Sequence, residues 1–268
     1  MPGLFDGTPL ERPVTCEHCG LPAAECTCPR DEKGGFCPPS HQKPRVRREK
    51  RRGKFVTVIA DLDPVATDLA GMAKTLLQLA GADLTPPQLA DTAVVVVDAQ
   101  REYVDGRLPL PGVEAALGNI AKLLAAARAA GAPVVHVQHK GQPGGLFGPD
   151  TPGFALAPQA AALPGETVVE KSLPNAFAGT TLKDALAAAG RKRLVVVGFM
   201  THMCVSSTAR AALDHGFGAV VVSDATATRD LPAPGGDGIV PVATLHETEL
   251  AALADRFAIV CTTAQLVR

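Results

Sequence analysis

The segment Gly198-Phe-Met-Thr-His-Met-Cys204-Val-Ser-Ser-Thr-Ala-Arg210 joins an apolar run, Leu194–Val197, to an alanine-rich stretch. The pattern predicts a strand, a tight turn and a helix whose first turn carries a cysteine. A thiol there lies near the positive end of a helix dipole and beside unpaired backbone N–H groups, and both favour the nucleophilic thiolate. Most free cysteines, however, are small buried apolar side chains, so Cys204 by itself fits a packing residue equally well. Two more ionisable residues follow apolar β-branched runs: Asp98 after Val94–Val97, and Lys171 after Val168-Val169-Glu170. A carboxylate and an ammonium brought beside a thiol can move its proton and stabilise the charge that nucleophilic attack creates. A second set of chemically able residues lies earlier in the chain. Cys16-x-x-Cys19 followed by Cys26-x-Cys28 supplies four thiols, enough to close a tetrahedral zinc site, although the second pair is spaced by one residue instead of two. Unliganded, reduced cysteines are the alternative there.

The elements that must position Asp98, Lys171 and Cys204 can be read from periodicity. Ala93–Val97 is a continuous apolar run, as in a parallel strand buried on both faces. Val113, Ala116, Leu117, Ile120, Leu124 and Ala127 keep the spacing of one helix face, and Gly131 ends that helix. Pro133–His139 and Thr167–Glu170 read as further strands. A helix around Leu182–Ala189 opens on a Thr181-x-x-Asp184 capping signal and stops at Gly190. Leu194–Val197, the Cys204 helix, Ala219–Val222, a helix with Thr244-x-x-Glu247 at its start, and Ala258–Thr262 complete the series. Repeated βα units of this length predict an α/β fold, a doubly wound parallel sheet with helices on both sides. Ligands bind such sheets outside the carboxyl ends of the strands, where all three ionisable residues fall.

Composition narrows the setting. The 268 residues carry a net charge of −1, yet eight of the 26 Lys and Arg lie between Lys43 and Lys54, so the start of the chain is locally basic. No run approaches the roughly 18 apolar residues of a membrane span, and the first residues lack the charged and apolar regions of a signal peptide. A cytoplasmic protein without a membrane partner is expected. In a reducing compartment, seven cysteines point to metal binding or catalysis before disulfides.

Three segments carry a resemblance. Val97-Asp98-Ala-Gln100-Arg-Glu-Tyr103, Glu170-Lys171-Ser-Leu-Pro-Asn175-Ala-Phe177-Ala-Gly179-Thr180 and Gly198-Phe-Met-Thr201-His-Met-Cys204-Val205 resemble the signature segments of the isochorismatase-like cysteine hydrolase superfamily, over about residues 93–264. The resemblance implies a three-layer αβα sandwich around a six-stranded, mostly parallel sheet, and a triad of Asp98, Lys171 and Cys204. It also implies a cis peptide joining Phe199 to Met200, and a homo-oligomer. On these residue types, Cys204 attacks an amide carbon to form a thioester, and the backbone N–H groups of Met200 and Cys204 hold the oxyanion. Asp98 passes the proton to the leaving amine, and Lys171 orients Asp98. Lysine beside Asp98 should also lower its pKa and weaken it as a base. The thiol favours C–N hydrolysis of a small amide-like substrate. Metal-binding members carry an Asp-x-His element where this chain has His136-Val-Gln-His139, so no catalytic metal or other cofactor is expected. Gln100, Tyr103, His139, Phe147 and Phe177 are candidate substrate-binding residues, whereas His136 reads as a strand residue and His202 as part of the turn.

The first 90 residues read differently. Residues 1–41 form a Cys-rich segment and residues 42–90 a second segment with its linker, ahead of the hydrolase domain at 91–268. Arg45-Val-Arg-Arg, Gly53-Lys-Phe-Val-Thr-Val-Ile-Ala-Asp-Leu-Asp63 and Asp68-Leu-Ala-Gly-Met-Ala-Lys-Thr-Leu-Leu77 resemble the first half of the translation initiation factor one-like (SUI) domain, over about residues 42–81. The later strands of that domain are missing, which predicts a truncated α+β appendage. An RNA- or ribosome-associated protein with an incidental hydrolase domain is the alternative function.

Overall fold

The computed structural model describes two strands near the start of the chain and residues 73–267. Strands β1 (Arg45–Arg51) and β2 (Lys54–Ala60) pair antiparallel, with Arg45 opposite Ala60 and Arg51 opposite Lys54. They belong to a first unit that ends at Ala73. The cysteines considered for zinc, Cys16, Cys19, Cys26 and Cys28, lie outside the described residues, as do residues 61–72 of the segment with the translation-factor resemblance.

The second unit, Lys74–Arg268, carries the main sheet. A short helix α1 (Leu76–Leu79) is closed by a capping box in which Thr75 and Gln78 exchange side-chain and backbone hydrogen bonds. The Leu76 N–H donates to Asp255, which ties this segment to the rest of the second unit. Then follow β3 (Thr92–Val97), α2 (Val113–Ala129), β4 (Val134–His139), β5 (Thr167–Lys171), α3 (Leu182–Ala188) and β6 (Arg193–Phe199). The chain continues through α4 (Ser206–Asp214), β7 (Gly218–Ala227), the small hairpin of β8 (Leu231–Pro232) and β9 (Ile239–Val240), α5 (Val242–Arg256), β10 (Ala258–Cys261) and α6 (Thr263–Leu266).

Six strands form one parallel sheet in the order β10-β7-β6-β3-β4-β5. Every residue of β3 is buried, which explains why its sequence is apolar without alternation. Side chains of alternate parity feed two cores. On one face Val94, Val96, Val195 and Val197 meet Leu117, Ile120, Leu123 and Leu124 of α2. On the other, Val95, Val97, Val135 and Val196 meet Leu182 and Leu186 of α3, Ala209 and Ala212 of α4, and Leu253 of α5. Helices therefore cover both faces, as the βα repeats predict. The chain runs outward from β3 through β4 to β5, returns to β6 on the other side of β3, and runs outward again. The switch point lies between β3 and β6, and doubly wound sheets bind ligands at the carboxyl ends of the strands there.

Local signals were less faithful. Helix α5 begins at Val242 after Pro241, so the Thr244-x-x-Glu247 pattern falls inside the helix. Thr181 makes no side-chain cap for α3; Thr180 Oγ1 accepts from the Leu182 N–H in its place. Strand β7 runs five residues beyond Val222, with a register irregularity against Val196 and Gly198 that bends it.

Gly198 shows why this bend needs glycine. Its φ is +108°, and a Cβ there would sit 1.9 Å from the Val97 carbonyl oxygen. Gly198→Ala is therefore expected to cost about 3 kcal/mol and to lower the thermal midpoint by roughly 6–12 °C. An unchanged midpoint in a scanning calorimetry experiment would contradict this close approach.

Candidate active site

Each of the three ionisable residues is placed by a strand end. Asp98 follows β3 in the left-handed region, with φ +48°, and its N–H donates to the Val137 carbonyl of β4. Lys171 is the last residue of β5. Cys204 sits in a widened turn, Thr201–Val205, in which the Val205 N–H reaches the Met200 carbonyl five residues back before α4 begins. The peptide bond between Phe199 and Met200 is cis.

The three side chains meet out of water. Lys171 Nζ lies 2.7 Å from Asp98 Oδ2 with both side chains wholly buried, and it donates to Cys204 Sγ at 3.3 Å. Cys204 is 4 % exposed. Asp98 and Lys171 thus form a buried ion contact.

Burial governs the electrostatics. It raises the Asp98 carboxyl to about 6 against the opposing Lys171 charge, so the lysine does not hold this acid below its ordinary range as its proximity alone predicts. Burial, together with the Asp98 charge, also pushes the Cys204 thiol up to about 12 despite Lys171. The pull of the helix start toward the thiolate is outweighed by desolvation and a neighbouring carboxylate. The resting site holds a thiol that needs a base.

His139, at the end of β4, joins the cluster. Its Nδ1 lies 3.0 Å from Lys171 Nζ. Burial, then the Lys171 charge, lower the His139 pKa to about 4, so its ring is neutral and Nδ1 accepts from the ammonium. The ligand-type atoms of Asp98, His139 and Cys204 all lie within 4.8 Å of one another. A soft divalent metal would suit such donors, but the Lys171 ammonium already contacts all three.

The remaining predicted residues separate. Gln100 is wholly buried and spends its amide on backbone: Nε2 donates to the His139 and Phe154 carbonyls, and Oε1 accepts from the His139 N–H. It is a staple between β4 and the 141–154 loop. Tyr103 is 3 % exposed and packs edge-on between Phe147 at 5.0 Å and Phe199 at 5.8 Å. Phe147, with φ +55°, also meets the His139 ring at 5.2 Å. These rings form a backing behind the cluster. Phe177 is not part of it. Its ring packs on His215 and Phe217, which follow α4.

Sequence reasoning missed the side chains that lock the turn. Thr201 pairs with His246, and Glu249 of α5 accepts from both Ser206 and Arg210. His202 pairs with Thr228, in keeping with its reading as turn structure. His136 is wholly buried in β4 and pairs with Glu166 at 2.9 Å, as a strand histidine would. Only tertiary contacts reveal the α5 lock, because the pairs are 39–45 residues apart in sequence.

A thiol, an ammonium and a carboxylate buried at the switch point of a doubly wound sheet mark an α/β protein of the cysteine hydrolase type. Residues 92–265 match the isochorismatase domain, and the chain belongs to that family. Streptothricin hydrolase of Streptomyces noursei is 40% identical over 191 residues, covering 71% of this chain and 74% of that protein. Maleamate amidohydrolase of Pseudomonas putida is 34% identical over 158 residues, covering 51% and 72%. The crystal structure of an isochorismatase from Pseudomonas putida KT2440 superposes with a TM-score of 0.70 at 44% identity, covering 73% of this chain and all of that one. Among the described residues, no helix is long and apolar enough to cross a membrane.

Proposed function

We propose that the chain hydrolyses a C–N bond of a small amide-like substrate through a thioester on Cys204. The observation that carries this reading is the Lys171 ammonium held between Asp98 Oδ2 and Cys204 Sγ in a buried site. Asp98 takes the thiol proton as Sγ bonds to the substrate carbonyl carbon, and the carbonyl electron pair moves to oxygen. The backbone N–H groups of Met200 and Cys204 are the donors for that oxyanion; the Met200 N–H has no backbone acceptor among the described residues. The C–N bond then breaks as Asp98 returns the proton to the leaving nitrogen. Asp98 next takes a proton from water, the resulting hydroxide attacks the thioester, and the carboxylate product leaves as the thiol is re-formed. Lys171 balances the negative charge that moves between sulfur, carboxylate and oxyanion, so proton transfer belongs to the coupled group.

The amide preference is supported by the thiol and by the named amidohydrolase among the relatives. A reducing compartment such as the cytoplasm keeps Cys204 in the form the cycle needs. A panel of primary amides and ureido compounds, read by ammonia release, tests the reaction class. Turnover of none, together with no covalent adduct by intact-protein mass spectrometry, would reject it. Because Asp98 must start ionised, kcat/KM is expected to fall about tenfold per pH unit below about 6. A profile that stays flat down to pH 4.5 would show that Asp98 is not the base.

A further inference from the structure

We infer that His139 is a positioning residue of this site: its Nδ1 lone pair is the third leg of an acceptor cage, with Asp98 Oδ2 and Cys204 Sγ, that fixes the Lys171 ammonium. The inference rests on the hydrolytic reading, but the cage itself is a matter of geometry. An ammonium has three donors and no acceptor. Lys171 has three partners, at 2.7, 3.0 and 3.3 Å, and its side chain is wholly buried. Water is therefore not available to replace a missing leg, and a buried donor without a partner is costly. Removing the His139 acceptor leaves the ammonium free to lean toward Asp98, the stronger attractor, and away from sulfur.

His139 is itself held against rotation and translation. Gln100 clamps its backbone on both sides, accepting from its N–H at 2.8 Å and donating to its carbonyl at 2.9 Å. Its ring meets Phe147 edge-on. Since Nδ1 accepts, the neutral ring carries its proton on Nε2. The titratable groups that face the thiol are Asp98 from β3, His139 from β4 and Lys171 from β5, with Tyr103 behind them. Tyr103 is held neutral by burial, and the Cys204 and Asp98 charges push the same way. Among these groups the Lys171 charge is the one that lowers the thiol pKa, so its distance from sulfur sets the fraction of thiolate at a given pH.

The test uses the full chain and reads Cys204 directly, by the rate of iodoacetamide alkylation against pH, with peptide mapping to follow Cys204 alone. This readout needs no substrate, so it stands even if no amide is turned over. His139→Phe keeps a ring of similar shape without the acceptor, whereas His139→Asn keeps an acceptor without the ring. His139→Phe is expected to slow Cys204 alkylation about tenfold at a fixed pH on the rising limb. His139→Asn should stay within about threefold of the parent. Thermal midpoints identify any variant that does not fold, and His139→Leu replaces the phenylalanine variant in that case. A parent-like profile for the acceptor-free variant overturns the cage. So does an asparagine variant as slow as the phenylalanine one, because the ring's packing would then be what matters.

Discussion

Cys204→Ala is expected to reduce amide turnover by about 10⁴-fold or more and to abolish any covalent adduct, while leaving the fold in place. The thiol is 4 % exposed and packs in the core that contains Val97, Val137 and Val205, so alanine removes one small atom from a well-supported position. Stability should change by only about 1 kcal/mol. Activity, by contrast, has no substitute nucleophile among the side chains that meet there. Asp98 is committed to the ion contact, Lys171 is held by all three partners, and His139 Nδ1 is occupied. Cys204→Ser is expected to be nearly as inactive: a serine hydroxyl is a far weaker acid than a thiol, and Asp98, raised only to about 6, is too weak a base to ionise it. Full turnover in the alanine variant, measured with mass spectrometry on the same sample, would exclude the thioester route.

The framework for this chemistry was written in hydrophobic periodicity. The all-valine stretch of β3 and the i, i+3, i+4 stripe of α2 are local patterns, and the structure keeps both. Because strand ends are legible, the position of Asp98, Lys171 and Cys204 on one rim was legible too. What escaped the sequence depends on burial and on partners far along the chain. The dipole argument at Cys204 sees only the following helix; the protonated thiol results from desolvation and from Asp98, which is 106 positions earlier. Gln100 looked like a polar pocket residue, yet its amide closes on the backbone of His139 and Phe154, a destination that no short motif encodes. Phe177 lies only six residues after Lys171 in sequence, but its ring packs on His215 and Phe217 after the end of α4.

The second large effect concerns the ion pair. Asp98→Asn and Lys171→Met are each expected to lower kcat/KM by at least about 10³-fold, since one removes the base and the other the charge that supports sulfur. Their stabilities should be the more informative measurement. Both side chains are wholly buried, so either single change strands the other charge and is expected to cost about 3–5 kcal/mol. The double variant strands neither. It should recover about 2–3 kcal/mol relative to the sum of the two singles, even though it stays inactive. The singles also differ in pH dependence, and the sign follows from proton binding. Native Asp98 holds its proton up to about 6, against 3.8 for an ordinary aspartate, so its contribution to stability declines as pH rises between those values. Lys171→Met removes the largest influence opposing that upward shift. Its window should extend above pH 6, with stability falling by about 1.4 kcal/mol per pH unit across it. Asp98→Asn lacks the titrating group and should show no such decline. Denaturant unfolding of the four proteins at pH 5 and pH 8 separates these outcomes. Strictly additive singles, or a Lys171→Met variant as stable at pH 8 as at pH 5, would mean that Asp98 and Lys171 do not act as a buried charge pair.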